Sequence, residues 1–543
     1  MKKWLVKFLC IVLALAMCVS VMCIAETSEN RTLTVMCRDM NNAGRPWWNI
    51  TNYHDWAAGK IFDAKLEELG ISLVIEAIAL DQFDTAALTR QQAWLNMPDI
   101  IRAAGDTSDW IGYGKAGKIW NIRELLEEYD EDGSIMEYMQ QLGGDVLATI
   151  FDEDGNLWWF PYVLSQGVED RPSSCYCISL RADWLEAIDV EYKYFYTPDE
   201  LFDILVAFRE NDVNGNGIQD EIINFNPASE WEPLSAAFGI GMGYIYALSD
   251  GSGVQCKLDH ENFSAFIEYC QKLYEAGVFS TEILNDGANM ISTNRASAIF
   301  DYSGETYQEK TIVGFEDTAR YAPAFIDDDT IDGYIIPGAD SPFAITGGCG
   351  WLINKECSDP QAVVDLMDYV FSDECSDLFY WGVEGVSYYY DEATDSNQFI
   401  DSGTLYAEDD TSRSPLNNVV GNNIVPSALN ISKSTEAWLA SQNRPAYPEK
   451  DDFSKNALYE ANQANIPYQS GTQPFAMMTD AENEAYNNVA STVNTYISEL
   501  IIDLIIGNKS LDDLPMYRAE VGALGLDTMI EIREAQYDRF ANN

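Results

Sequence analysis

Asp212-Val213-Asn214-Gly215-Asn216-Gly217-Ile218-Gln219-Asp220-Glu221 carries oxygen-bearing side chains at positions 1, 3, 5, 9 and 10, with a glycine at position 6. This is the spacing of a hard-cation loop: a tight turn lets alternate residues converge on one ion, and Ca²⁺ takes six to eight oxygens. Asp212, Asn214 and Asn216 would supply side-chain oxygens and Ile218 its backbone carbonyl; Asp220 and Glu221 would close the shell. Gly217 takes a sharp turn that a Cβ would obstruct. The loop departs from an EF-hand, which wants a bidentate Glu at position 12, where this chain has Ile223. The competing reading is a plain Asn-Gly turn after a helix. A full oxygen shell leaves no open coordination position, so the loop reads as a structural staple rather than a catalytic centre.

Outward from this loop, composition sets the bounds. The 543 residues suffice for two or more lobes, and 47% hydrophobic content marks a folded chain. The formal charge of −56, from 32 basic and 88 acidic residues, excludes general nucleic-acid binding through phosphate neutralisation. It also disfavours a strongly anionic ligand unless local basic residues line the site. Residues 1–25 read as a secretory signal: Lys2, Lys3 and Lys7, then an apolar run from Phe8 to Ile24, then Cys23-Ile24-Ala25 as a small-x-small cleavage site. At roughly 17 residues the run is short for a membrane span. Lipid attachment at Cys18 or Cys23 is the alternative, although Met17 and Met22 are large for the residue preceding an acylated cysteine. Of eleven cysteines, eight follow residue 25, too few for a disulfide framework; they read as small buried residues. With only His54 and His260, a histidine-based metal site or catalytic triad is disfavoured.

The order of elements predicts an α/β chain. Strands at Thr32–Cys37, Ser72–Ile78 and Asp99–Ile101 alternate with helices at Asp55–Leu69 and Asp84–Trp94, the order of a parallel sheet. Ligands of such sheets bind beyond the carboxyl ends of the strands, which points to the loops Arg38–Asn52 and Gly105–Tyr113. Further strands are expected at Leu157–Pro161, Cys175–Leu180 and Phe343–Ile353. Thr197, Pro198 and Glu200 form a capping box that opens the helix leading into the cation loop. Helices follow at His260–Ala276, Pro360–Phe371, Glu374–Tyr380, Asp480–Ile506 and Met516–Phe540, with an aromatic loop at Gly382–Tyr390. Two lobes interleaved in sequence fit this order better than two independent domains.

Several stretches together resemble the extracellular solute-binding proteins of family 1 of ABC importers, in the branch that includes the alginate-oligosaccharide-binding lipoproteins. They are Asp154-Gly155-Asn156-Leu157-Trp158-Trp159-Phe160-Pro161-Tyr162, Leu180-Arg181-Ala182-Asp183-Trp184-Leu185, the cation loop, Gly350-Trp351-Leu352-Ile353-Asn354-Lys355 and Trp381-Gly382-Val383-Glu384-Gly385-Val386. The runs Tyr496–Leu500 and Ala535–Arg539 complete the match. The resemblance implies a two-lobe periplasmic-binding-protein-like fold (type II), with hinged lobes and a ligand cleft between them. Its expected division is a signal at 1–25, an N-lobe from 26–162 and 349–400, and a C-lobe from 163–348 and 401–543. It further implies Ca²⁺ held at Asp212, Asn214, Asn216, Ile218, Asp220 and Glu221 away from the ligand. The resemblance also implies delivery to a membrane permease outside the cell, by a monomer that is not itself an enzyme.

Aromatic content of 12%, with 14 Trp and 30 Tyr, suits a carbohydrate, because flat rings cover the C–H faces of sugars. Asp, Asn, Gln and Arg around such rings can take hydroxyls. The cleft candidates are Trp47, Trp48, Asp106, Tyr113, Trp158, Trp159, Trp231, Trp381 and Tyr388, with Arg45 and Glu384 behind them. Core packing competes for each of them. Because Trp158 and Trp159 alternate on a strand, at least one should be structural. An oligosaccharide-binding protein is the favoured function. A secreted carbohydrate-active enzyme would need two carboxylates at a defined separation. A ligand-presenting sensor or an adhesion module is the third reading.

Overall fold

The computed structural model describes residues 31–39, 53–140, 149–165, 176–224, 232–248, 251–279, 290–302, 321–326, 343–393, 395–400 and 475–542. Residues 1–25, Arg45, Trp47, Trp48 and Trp231 lie outside this set. The chain opens with β1 (Arg31–Asp39), α1 (Ala57–Glu68), β2 (Ile71–Ala79), α2 (Leu80–Ala93) and β3 (Ile100–Arg102). Then come α3 (Thr107–Lys115), α4 (Ile122–Tyr129), α5 (Ser134–Gln140) and β4 (Phe160–Ser165). The middle holds β5 (Tyr176–Arg181), α6 (Ala182–Ala187), β6 (Phe195–Tyr196), α7 (Pro198–Glu210), β7 (Ile222–Asn224) and α8 (Glu232–Ala236). After it lie β8 (Ile245–Ala247), β9 (Val254–Cys256), α9 (Phe263–Glu275), β10 (Ala296–Tyr302) and β11 (Tyr321–Ile326). The last part has β12 (Phe343–Ile353), α10 (Pro360–Phe371), α11 (Asp373–Tyr380), β13 (Tyr388–Asp391), β14 (Ser396–Phe399), α12 (Asp480–Ile505), α13 (Leu514–Leu524) and α14 (Leu526–Ala541).

Two five-stranded sheets organise these elements. The first has the order β2-β1-β3-β12-β4, with β1 parallel to β2 and β3, and β12 antiparallel to β3 and β4. The second has the order β6-β11-β5-β10-β7, with β5 antiparallel to both its neighbours. A strand covered on both faces reads as a near-continuous apolar run, and β1 buries Leu33, Val35, Met36 and Cys37 completely. Around the first sheet, Phe62 of α1 packs 5.8 Å from Tyr369 of α10 and 5.9 Å from Phe379 of α11. The first core draws on residues from Leu33 to Phe160 and again from Trp351 to Phe379. The second draws on Ile178 to Ala298 and again on Val493 to Met529. Each fully buried Leu, Ile or Phe side chain contributes about 1.5–3 kcal/mol, so each core is self-sufficient. Two lobes result, each assembled from separated stretches of chain.

Side-chain caps set several helix starts. Thr197 and Glu200 bond reciprocally at the head of α7, and Thr479 and Glu482 do so at the head of α12. Three sequence expectations are corrected. The stretch Gly105–Tyr113, expected as a loop, is mostly α3, because Asp106 and Asp109 form a capping box of their own. Met516–Phe540, expected as one helix, is α13 and α14, parted at Gly525 with φ +119°. Gly382–Tyr390 runs into a two-stranded hairpin of β13 and β14. Cys37, Cys256, Cys270, Cys357 and Cys375 are buried free thiols; burial, helped by Asp39, pushes Cys37 up to about 12. Among the described residues no helix is long and apolar enough to cross a membrane.

Candidate ligand cleft and cation loop

The chain leaves the carboxyl end of β3 through Ala103-Ala104-Gly105 and enters α3 at Asp106. Gly105 sits at φ +81°, a conformation that disfavours any side chain. Asp106 Oδ1 accepts from Ser108 N at 2.9 Å and Asp109 N at 3.1 Å, which aims the first turn of α3 outward from the sheet. A cavity of about 510 Å³ opens here, within the range of small-molecule sites. One wall comes from the first lobe, with Asp106, Ser108, Ile111 and Lys115. The other comes from helices that pack on the second core, with Phe475, Asn483, Tyr486, Arg533 and Gln536. The cavity is thus a cleft between lobes, with rings, amides and charges on its walls.

Lys115 bridges the cleft. Its Nζ lies 2.5 Å from Asp480 Oδ1, at the head of α12, and 3.6 Å from Glu153 Oε1 on its own lobe. Burial alone would lower the Lys115 pKa; the Asp480 hydrogen bond and the Asp480 and Glu153 charges hold it above its ordinary value. Behind α3, Gly114 allows Trp158 to pack closely: a Cβ there would come within 2.1 Å of the indole. Trp158 Nε1 donates to Asp152 Oδ2 at 2.8 Å, fixing the ring.

Of the residues expected at the cleft, Asp106 lines it. Tyr113 and Trp158 sit directly behind its wall, each 9% exposed, with the Tyr113 ring 5.0 Å from Trp94. Trp159 and Trp381 are corrections. Trp159 is 2% exposed and packs edge-on to Trp110 at 5.2 Å. Trp381 is 1% exposed, packed at a tilt against Phe399 at 4.8 Å and half-buried Tyr388 at 5.5 Å. Neither offers a ring face to a solute. Trp47, Trp48 and Trp231 fall outside the described residues. Sequence reasoning missed Phe475, Tyr486, Arg533 and Gln536. Their only signal was position, on and beside C-terminal helices whose packing partner a sequence does not reveal.

The cation loop lies between α7 and β7. Asp212 has φ +48°, Gly215 +71° and Gly217 +84°, so the backbone curls on itself. Asp212 Oδ2 accepts from Gly217 N at 2.9 Å, while Asp212 Oδ1 is buried with no partner. Asp220 Oδ1 accepts from the amides of Asn214 at 3.0 Å and Asn216 at 2.9 Å. Glu221 is fully buried, and its two oxygens take Asn214 N at 3.2 Å and Asp220 N at 3.1 Å. Burial raises the Glu221 pKa, and the Asp220 and Asp212 charges add to it. Ile218 O accepts from Asp220 N at 3.0 Å. Among the described residues no group of three or more His, Cys, Asp or Glu is gathered as a ready metal cluster. The donor set here is mixed carboxylate, amide and carbonyl. Asp220 Oδ2 also pairs with Arg295 at 2.8 Å; the orphaned Asp212 oxygen beside the buried Glu221 is the one feature here that a bound cation would satisfy.

No protein-family model matches the chain. A curated relative, the fructooligosaccharide ABC transporter substrate-binding protein FusA of Streptococcus pneumoniae, is 23% identical over 469 residues, covering 82% of this chain and 81% of its own length. The chain matches the extracellular solute-binding proteins of ABC importers. Among solved structures, FusA of S. pneumoniae in complex with kestose superposes with a TM-score of 0.69 at 19% identity, over 94% of this chain and 100% of that one. An EF-hand mutant of FusA in complex with fructo-nystose gives a TM-score of 0.68 at 18% identity, over the same shares of the two chains. The alginate-binding protein AlgQ2 without calcium ion gives 0.63 at 19% identity, over 94% of this chain and 98% of that one. The fold is therefore the two-lobe, periplasmic-binding-protein-like α/β fold of type II. Solute-binding proteins of this fold hold their ligand between lobes, which is where the 510 Å³ cavity lies.

Proposed function

We propose that this chain is the solute-binding subunit of an ABC importer, which captures an oligosaccharide outside the cell and passes it to a membrane permease. The observation that carries this reading is the cleft beyond the carboxyl end of β3, walled by α3 from one lobe and by α12 and α14 from the other. A solute touching both walls stabilises the closed arrangement over the open one, by as much as its affinities for the two differ. Aromatic Phe475 and Tyr486 suit sugar C–H faces, and the Asn483 amide suits hydroxyls. No bond is broken. The two moving units are the lobes built on the first and the second sheet; the boundaries expected at 162/163 and 348/349 cut through β4 and β12, which pair with each other in the first sheet. Residues 1–25 direct export and are removed after Ala25, lipid attachment at Cys18 or Cys23 being the alternative.

We also assign the loop Asp212–Glu221 to structural Ca²⁺, held by Asp212, Asn214, Asn216, Ile218, Asp220 and Glu221. The ion would neutralise the carboxylates where α7 meets β7; it takes no part in capture. The test of capture is thermal unfolding of the mature chain in calcium buffer against a panel of mono- and oligosaccharides, uronates and short peptides. A ligand of the folded state alone adds about 2.7 kcal/mol at a hundredfold excess over its dissociation constant. A rise in melting temperature with an oligosaccharide recovered intact is the expected result. Cleaved products would put a carbohydrate-active enzyme in its place, and a rise with peptides only would replace the solute class.

A further inference from the structure

Most described arginines of the second lobe pair with a carboxylate, Arg295 with Asp220 among them, although Arg209 donates only to the Glu221 carbonyl. Arg181 pairs with Asp183, Arg518 with Asp259 and Asp527, and Arg539 with Glu482. In a chain of 88 acidic and 32 basic side chains, a carboxylate is seldom far from a cation. Yet Arg533 makes no carboxylate ion pair among the described residues; its one polar contact is Nη1 donating to Gln536 Oε1 at 3.0 Å. Aromatic rings take the place of a counter-ion. The guanidinium carbon lies 4.8 Å from the Phe475 ring centre and 5.3 Å from that of Tyr486. All four residues line the interlobe cleft.

The support behind this arginine is rigid. Gln536 is 4% exposed, and its Nε2 donates to Ala476 O at 2.5 Å, which turns its amide oxygen toward Arg533. Stacked rings take the apolar faces of a guanidinium and leave its N–H edge available. Of five N–H donors one is used, so four remain. The carboxylates on the cleft wall are committed elsewhere: Asp106 caps α3 and Asp480 holds Lys115. A half-desolvated cation with a spare fork and no counter-ion among the described residues matches a planar carboxylate, which can take two parallel N–H···O bonds. A neutral sugar could meet the same donors with hydroxyls, but it would leave the charge uncompensated.

We propose that Arg533, pre-oriented by Phe475, Tyr486 and Gln536, sets the charge class of the solute, selecting a saccharide that bears a carboxylate. The inference rests on the oligosaccharide reading above and sharpens it. It also explains how a chain of charge −56 would accept an acidic ligand, through one local cation whose surroundings are rings and amides.

The test is calorimetric titration of the mature chain with trigalacturonate, 3′-sialyllactose and an aldobiouronic acid, each beside its methyl ester. The ester keeps the sugar and removes only the charge. At least one acid should bind roughly tenfold to a hundredfold tighter than its ester, the usual range for a hydrogen-bonded charge. Arg533→Gln should remove that preference, so that each acid binds no tighter than its ester, and Arg533→Lys should retain only part of it, having charge without the fork. Thermal unfolding of the free variants checks that they fold. Neutral saccharides binding with no acid favoured over its ester would overturn the inference and leave the oligosaccharide reading standing. So would an acid preference unchanged in Arg533→Gln. Failure of every saccharide, charged or neutral, would remove the reading and the inference together.

Discussion

Asp99 is a buried carboxylate with four donors and no cation. Its Oδ2 takes Thr34 N at 2.8 Å and Thr34 Oγ1 at 2.6 Å; its Oδ1 takes Ser358 N at 2.7 Å and Ser358 Oγ at 3.1 Å. It therefore ties the entry to β3 to β1 and to the turn after β12. Burial pushes its pKa up, but the bonds from Thr34 and Ser358 together outweigh that and hold it below 3.8. A folded-state value below the unfolded one contributes stability above the unfolded pKa, and that contribution is lost as pH falls through the folded value. Asp99→Asn should cost about 2–3 kcal/mol near neutral pH, because buried donors lose their charged acceptor. The difference from the parent should shrink between neutral and strongly acid pH, as the parent carboxylate is itself protonated below the ordinary carboxylate range. Urea midpoints at the two pH values check this; a constant difference would place the cost in packing rather than charge. Asp152 is held the same way by Asn156 and Trp158, and its pKa also lies below the ordinary value despite burial. Neither role shows in the sequence, where each is one acid among 88: the donors to Asp99 lie 65 and 259 residues away.

Elements were legible wherever local chemistry and tertiary packing agreed. Thr197-Pro198-Asp199-Glu200 announces α7, and the structure starts the helix there. By contrast, Asp106-Thr107-Ser108-Asp109 reads as polar loop, since its box is closed by Asp rather than Glu or Gln, and Gly112 and Gly114 weaken the helix that follows. Packing restores it, because Gly114 admits Trp158 and because Trp110, Ile111 and Tyr113 bury inward. The same tertiary preference removed Trp159 and Trp381 from the cleft. The loop between α7 and β7 curls through the left-handed Asp212 and the two glycines. If that loop holds Ca²⁺, calcium should raise the melting temperature of the parent, and Asp212→Ala should abolish the rise. The variant in calcium should then melt where the parent melts in chelator. Identical melting with and without chelator in the parent would remove the ion from this account.

At the scale of the molecule, the lobes meet through the cleft and through the Lys115–Asp480 pair across it. That pair is partly exposed, so it contributes little by itself; on the proposed function, closure is driven by the solute. Saturation with a bound saccharide should therefore lower the radius of gyration measured by X-ray scattering, and tight binding without any change would argue against moving lobes. The alternation of strands and helices in the first 100 residues disclosed the parallel part of the first sheet. The partner wall of the cleft stayed hidden because it is assembled from residues more than 300 positions further along. The place of β12 bears on how the chain is made. It lies between β3 and β4, antiparallel to both, yet follows β4 by nearly two hundred residues. Until Ile353 has emerged, the N-terminal sheet is split, with the inner edges of β3 and β4 exposed. Contacts of such long sequence separation form slowly and leave pairing edges open meanwhile. A chain threaded outward from its N-terminus cannot finish its first lobe until most of its second has already crossed, so the two halves must reach their final form nearly together.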